Sequence, residues 1–593
     1  MNKIMKTLML TLLIAIVLGS SGCGKSGPGD NDEGNVTLKS VLPNKIEGVD
    51  PGATSDTYSS KVHSHCYETL YTYHYLKRPY EVVPLVADGM PEISDDGTTY
   101  TIKIKKGVLY SDDPCFENGK ARELVANDFI FAWKRLANIK FRSKNWWIFD
   151  DKIVGLDDFR EYTKDAEEVD YSRPVEGLQA PDDHTLVIRL TKKWPQILYI
   201  LAHQPSAPMP PEAVAYYGDD DLMKHTVGTG PFKLNTWHPG SYVEVVRNEN
   251  YRHATYPTEG EPQDVEAGLL EDAGKQIPFV NRIMWLIIPE DQPRWLQFQQ
   301  GDVDALGIPK DNFGSAVSAD MTLTDEMAER NIDLVTFKDP STFWLGFNME
   351  DPILGKNMPL RKAISYSINR AKEVEIFWNG RYDMASGFIP PLMKAYNPDI
   401  KELGQRYDPD KARELLKEAR EIQGGEIPEL EISMPGTDTM NRNRGVFLKR
   451  CLENIGLKVD VEYTDWPIYL QKISTKSAQL FSSGWIADYP DAENFLQLFY
   501  SKNAAPGPNN FNYSSEEFDR IYKKAVAMPD SPERTELYRQ AELIVLEDCP
   551  AAFITHRVNY MVMHGWLENY KPNVFYNGTG KFRKVDTAER AAY

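Results

Sequence analysis

Two hydrophobic periods alternate along almost the whole chain, and that alternation restricts the fold more than any other feature. Residues 457–463, LKVDVEY, set Leu457, Val459, Val461 and Tyr463 on every second position, the period of a strand with one buried face. TYTIKI and TLVIRL repeat it with Tyr100, Ile102 and Ile104, and with Leu186, Ile188 and Leu190. Between such segments the period changes to that of a helix. In YDPDKARELLKEA, Asp408 can cap, Pro409 suits the first turn, and Ala412, Leu415, Leu416 and Ala419 share one face. A second helix is expected over 359–378. Strands and helices interleaved in this way predict an α/β fold, and the absence of an internal repeat argues against a solenoid. With 593 residues, the chain is too long for one ordinary core and should divide into two or more lobes. The run IMWLIIP, at 283–289, is expected to be a strand buried on both faces and one of the crossings between lobes.

The beginning of the chain reads as an address. Lys3 and Lys6 precede an apolar stretch over 8–18, and the small residues Gly19, Ser20, Ser21 and Gly22 lead to Cys23. That is a secretory signal, too short for a spanning helix. Its end resembles a bacterial lipoprotein signal, in which the cysteine after the cut carries the lipid, although Ser20 stands where leucine is usual. Residues 1–22 are therefore expected to be removed and Cys23 to be lipidated, with ordinary cleavage and release as the alternative. The adjoining GKSGPGDNDEGN has the composition of a flexible tether over 23–35.

Charge and cysteine content narrow the function further. Lys and Arg number 67 against 87 Asp and Glu, a net charge of −20, so nucleic acid is not an expected partner. An exported chain with four remaining cysteines, Cys66, Cys115, Cys451 and Cys549, admits three disulfide pairings. Sequence proximity favours Cys66 with Cys115 and Cys451 with Cys549, and free buried thiols are the alternative. HSHC at 63–66 offers ligand types for a metal, but no second cluster with zinc spacing accompanies it, so no metal is expected.

The chain lacks a GxSxG elbow, an HExxH pair, a GxxxxGK[ST] loop and a strand-linked GxGxxG. GTGPF at 228–232 has no lysine in the position a nucleotide loop needs and is expected to be a tight turn entering a strand. The segment GWIADYPDAENFL, 484–496, is the more demanding one. Asp488 and Asp491 flank Tyr489 and Pro490 directly after an apolar run, which sets a carboxylate at a strand end beside aromatic surface. Three chemistries fit: solvated turn residues, a partner for a cationic ligand, or the paired carboxylates of a glycosidase. A calcium loop does not fit, because the central glycine and terminal glutamate are missing.

Several blocks in order resemble the family 5 extracellular solute-binding proteins of bacterial ABC importers, in their peptide-binding branch. They are VPLVADGMPEISDDGTTYTIKIKKGVLYSD, ANDFIFAWKRL, VGTGPFKLNTWHPGSYVEVVRNENY, FVNRIMWLIIPEDQPRWLQFQQGDVDAL, TFWLGFNM, LRKAISYSINRAKEVEIFWNG and YDPDKARELLKEA. The resemblance implies two α/β lobes joined by a two-strand hinge, a ligand cleft between them, and an extra subdomain. It divides the chain into a first lobe from 36–81, 181–288 and 550–593, a subdomain over 82–180, and a second lobe over 289–549. It also implies that Asp488 takes a peptide's α-amino group, that the backbone at Gly484 and Ile486 pairs with the peptide, and that Trp485, Tyr489 and Trp466 line the site. Trp146 and Trp147 either reach the cleft or pack the subdomain. No enzyme activity and no cofactor are implied. The expected protein is a lipid-anchored, extracytoplasmic monomer serving permease subunits, with a metal chelate or oligosaccharide as the alternative ligand and a secreted hydrolase as the alternative class.

Overall fold

The computed structural model describes residues 35–593. The signal, Cys23 and all but the last residue of the tether lie outside the described residues. No helix among the described residues is long and apolar enough to cross a membrane.

The first lobe is built on a four-stranded sheet in the order Phe232–His238, Tyr242–Arg247, Arg282–Ile287, Thr37–Leu42. Arg282–Ile287 is paired on both sides, parallel to Thr37–Leu42 and antiparallel to Tyr242–Arg247. The expectation of a crossing there is corrected: both of its edges are taken inside one sheet. Its burial also alternates residue by residue, so only one face is fully covered. The GTGPF turn enters Phe232–His238 as expected, and its glycines are set by close approach. A Cβ on Gly228 or Gly230 would meet the Cys66 carbonyl oxygen at 2.1 or 2.6 Å, which only glycine avoids.

A second four-stranded sheet, Glu92–Ile93, Thr99–Lys103, Thr185–Arg189, Leu178–Asp182, forms the subdomain. The two strands read from TYTIKI and TLVIRL pair with each other, Ile102 opposite Leu186 and Tyr100 opposite Ile188. This sheet runs past residue 180, and its apolar face shares one core with the first lobe.

The second lobe holds a six-stranded mixed sheet in the order Asp383–Met384, Ala551–His556, Ser341–Phe347, Leu480–Ile486, Leu430–Met434, Val459–Tyr463. Alternate residues of Ser341–Phe347 go to opposite sides, Trp344 to one core and Leu345 and Phe347 to the other, which is the period-two pattern of a strand covered on both faces. Helix Pro409–Gln423 lies on the Leu345 side. Its cap is as read, Asp408 accepting from the Lys411 N–H at 3.0 Å, and Ala412, Leu415, Leu416 and Ala419 are its buried residues. Burying each leucine contributes about 1.5–3 kcal/mol. The expected single helix over 359–378 is two, Met358–Ser367 and Arg370–Trp378. Asn369 restarts the chain by accepting from the Lys372 N–H at 2.9 Å, a cap that an uninterrupted helix would not need.

The lobes are joined by two strand crossings that run side by side. Ile332–Lys338 and Val558–His564 pair in a three-stranded sheet with Ala305–Gly307, and their continuations Ser341–Phe347 and Ala551–His556 pair in the second-lobe sheet. The pivots are therefore Asp339–Pro340, about fifty residues after the expected boundary at 289, and Arg557, about eight residues after the expected boundary at 549. The Asp339 N–H donates to the Arg557 carbonyl at 3.2 Å, and Arg557 Nε donates to Asp339 Oδ2 at 2.6 Å.

Neither expected disulfide is present, and all four described cysteines are free. Each thiol is committed to its own surroundings. Cys66 is buried beside Thr226 and pushed up to about 12 by that burial, while Cys549 contacts Gln405 and the Ala551 carbonyl. Among the described residues no group of three or more His, Cys, Asp or Glu side chains is placed to hold a metal ion. In HSHC, His65 bonds the Lys61 carbonyl and accepts from the Gly580 N–H.

Candidate ligand cleft

Strand Leu480–Ile486 has one side occupied and the other partly open. Ser341–Phe347 pairs with its full length, whereas Leu430–Met434 pairs only with Leu480 and Phe481. Beyond Phe481, residues 482–486 have no strand neighbour on that second side. The alternation of the backbone says which groups face it. Ala487 N–H donates to Pro340 at 2.8 Å and Gln479 C=O accepts from Asn348 at 3.0 Å, both toward Ser341–Phe347, so odd-numbered residues point that way. Ser482, Gly484 and Ile486 point to the open edge, and the Ser482 carbonyl already accepts from the Tyr469 hydroxyl at 2.6 Å. Gly484 is also required by packing, since a Cβ there would lie 2.3 Å from the Phe343 ring.

Past the strand the chain turns, and the fully buried Asn494 holds that turn in place. Its Oδ1 accepts from Trp485 Nε1 at 2.8 Å and from the Asp488 N–H at 2.9 Å, while its Nδ2 donates to Asp488 Oδ2 at 2.9 Å. One carboxylate oxygen is thus held, and Oδ1 faces His203 Nε2 of the first lobe at 3.8 Å. Burial raises the Asp488 carboxyl above its ordinary value, opposed by His203 and Asn494. Burial lowers His203, so the facing ring is a weak partner and leaves the carboxylate short of a cation.

These groups open onto a cavity of about 350 Å³ between the lobes, with Trp485, Ile486 and Asp488 on one wall, His63 and Gln204 on the other, and Asp339 and Arg557 at the crossings. Gln204 is 6% exposed, yet both its amide atoms lack a hydrogen-bond partner among the described residues. A buried amide with nothing to bond is costly unless water or a ligand supplies partners.

Of the residues read from sequence, Trp485, Ile486 and Asp488 come together at the cavity, and Gly484 stands on the open edge. Tyr489 and Trp466 are placed elsewhere. Tyr489 is fully buried, donates to Glu493, and stacks on Tyr199 of the first lobe at 5.8 Å. Trp466 meets Tyr58 edge-on at 5.6 Å. Both close the lobes against each other rather than line the cavity. Asp491 is a second departure from the paired-carboxylate reading: it is bound to Arg534 at 2.8 Å and accepts from the Glu493 N–H. Trp147 lines the cavity, with its ring 6.2 Å from His203. Trp146 instead packs the subdomain, under Arg160 and bonded to Asp150. Sequence reading missed His203, Gln204, Asn494, Asp339 and Arg557. Only Asn494 carried a signal, six residues from Asp488 at the start of the helix Glu493–Leu496.

Two α/β lobes, two strand crossings and a polar cavity enclosed between them define a solute-binding protein of the hinged, two-lobed class. The chain belongs to the bacterial extracellular solute-binding proteins of family 5, whose model matches residues 81–507. It is 25% identical to the oligopeptide-binding protein OppA of Bacillus subtilis strain 168, over 97% of each chain, and 24% identical to the dipeptide-binding protein of Escherichia coli K12, over 83% of this chain and 84% of that one. Among solved structures it resembles Listeria monocytogenes OppA bound to peptide, with a TM-score of 0.76 at 22% identity, covering 93% of this chain and 100% of that chain.

Proposed function

We propose that the protein is a receptor that captures peptides outside the cytoplasmic membrane, encloses them between its lobes and hands them to an ABC importer. The observation that carries this reading is the open strand edge at Gly484 and Ile486 ending beside the Asp488 carboxylate. An extended peptide presents regular N–H and C=O groups whatever its sequence, so it can add to that edge as a further strand. Its α-ammonium then meets Asp488, and a charge-assisted bond of this kind, about 1.5–3 kcal/mol, fixes the register. Trp485 flanks a side-chain pocket, and the unpaired Gln204 amide suits water that adapts to different side chains. The relatives named for oligopeptides and dipeptides support the same ligand class. A hydrolase using both aspartates is disfavoured, since Asp491 is committed to Arg534.

The expected experiment combines identification with shape. Denaturing the purified protein and analysing what it releases should yield peptides, and adding peptide to stripped protein should reduce the radius of gyration in small-angle scattering, because contacts to both lobes favour the closed form. Release of a sugar or metal chelate, or identical scattering with and without ligand, would contradict the proposal. We place the anchor at Cys23: Cys23→Ser should abolish lipid labelling and move the protein out of the membrane fraction, and unchanged labelling would exclude that site.

A further inference from the structure

The Asp488 carboxylate faces the first lobe through Oδ1, which accepts no hydrogen bond among the described residues, since Asn494 serves only the other oxygen. Opposite it stands the ring of His203, with Nε2 3.8 Å away. The backbone of His203 fixes where that ring can be. Its N–H donates to the Ile200 carbonyl at 3.0 Å, and its carbonyl accepts from the Ser206 N–H at 2.9 Å and the Ser206 hydroxyl at 2.8 Å. The residue is thereby held at the turn between the helices Ile197–Ile200 and Gln204–Ser206, with the Trp147 ring flanking it. Neither ring nitrogen of His203 makes a hydrogen bond among the described residues, and its side chain is 18% exposed.

A separation of 3.8 Å is too long for a hydrogen bond between the ring and the carboxylate, but it is close to what two acceptors need to share one donor nitrogen. An amine nitrogen about 2.8 Å from each sees them at an angle of roughly 85°, which two N–H bonds of a tetrahedral ammonium meet with little bending. The charge states agree with that arrangement. Burial holds His203 below its ordinary value, and the neighbouring His63 is pulled down to about 3 by the same cause. Both rings are therefore uncharged at neutral pH, and a neutral imidazole protonated on Nδ1 presents Nε2 as an acceptor. Among the described residues His203 is also the only group able to carry positive charge that acts on Asp488, so no resident cation fills the gap.

We propose that His203 is a second acceptor for the ligand's α-ammonium, taking one N–H from the first lobe while Asp488 takes another from the second. This deepens the peptide reading and rests on it. It makes His203 a specificity-determining residue. Asp488 reads the charge of the amine, whereas the pair reads how many N–H groups it has: a primary or secondary amine serves both acceptors, and a tertiary one serves only one. Because the acceptors belong to different lobes, a bound amine touches both at once, the condition under which a ligand favours the closed form.

The test is calorimetry with alanine peptides of two to six residues in two forms, one with a free α-amine and one N,N-dimethylated, which keeps the positive charge and a single N–H. The wild type should bind the free form about tenfold or more tighter, the scale of one charge-assisted bond. His203→Phe keeps the size of the ring and removes the acceptor. It should lose about tenfold for the free form and most of the discrimination, while any clash of the methyl groups is common to both proteins and cancels in the cycle. His203→Gln offers an acceptor again through Oε1 and should restore most of both, and thermal melts establish that the two variants fold. In the wild-type complex, 15N NMR should show a neutral ring with its proton on Nδ1. Unchanged affinity and discrimination in His203→Phe, or an imidazolium in the complex, overturns the second acceptor and leaves the peptide reading standing. Should no peptide bind in any form, the peptide reading falls, and methylammonium titrated against the 15N resonances of His203 decides the site alone. A saturable shift of Nε2 supports it, and an unmoved resonance overturns it.

Discussion

Asp488→Ala should weaken binding of a peptide with a free amino terminus by about 2–5 kcal/mol, or roughly 30- to 5,000-fold, the loss seen when one partner of a buried charge pair is removed. The ligand ammonium would enter a closed cleft whose nearest facing group is His203, a ring held below its ordinary pKa, which offers it no negative charge. Asp488→Asn keeps the shape and the bond to Asn494 yet loses the charge, so it should do nearly as much harm. Folding should survive both changes, because Asp488 is only partly buried and its carboxylate bonds one side chain, that of Asn494. Calorimetry and a thermal melt on the same samples separate the two effects.

Asp491 should behave in the opposite way, although it is three residues away. Its side chain and that of Arg534 are 12% and 5% exposed, so Asp491→Leu leaves a guanidinium desolvated beside an apolar group. A destabilisation of about 3–5 kcal/mol is expected from breaking a buried pair, and adding Arg534→Leu should recover much of it, since removing both charges of such a pair is often near neutral. Urea unfolding reads the stability. The folded Asp491→Leu protein should still bind peptide within about an order of magnitude of wild type, because Asp491 does not line the cavity and its carboxylate bonds Arg534 and the Glu493 N–H, not Asp488 or the Asn494 side chain. Loss of binding at unchanged stability would return Asp491 to the ligand chemistry.

The contrast between these two aspartates marks how far the sequence could be read. Local patterns were legible wherever the physics is local. Tyr100, Ile102 and Ile104 alternate because their strand has one covered face, and Asp408 caps because the helix after it leaves N–H groups unpaired. The break at Asn369 was written in the chain as a capping residue but was overridden by the apolar period on either side. Arg282–Ile287 was recognised as a strand and misplaced as a crossing, since an apolar run does not say which neighbours pair with its edges. The true pivots, Asp339 and Arg557, are 218 positions apart, and no local signal joins them. The cleft divides along the same line. Its second-lobe wall runs along one strand and was readable from Trp485 to Asp488. The first-lobe wall comes from short helices and turns carrying His63, His203 and Gln204, and whether it faces Asp488 depends on how the lobes close.

The cysteines show the limit from another side. Proximity in sequence favoured two bridges, but Cys66 is held against Thr226 and Cys549 against Gln405, and loop length says nothing about whether two thiols point toward each other.

The central claim is that a carboxylate at the end of an open strand edge selects a ligand by its free amine. Calorimetry of one peptide in free and N-acetylated forms, against wild type and Asp488→Ala, tests it as a double-mutant cycle between protein and ligand. The account predicts that acetylation collapses binding to the wild type and that Asp488→Ala discriminates far less between the two forms. Equal affinity of the free and acetylated peptides for the wild type would contradict it.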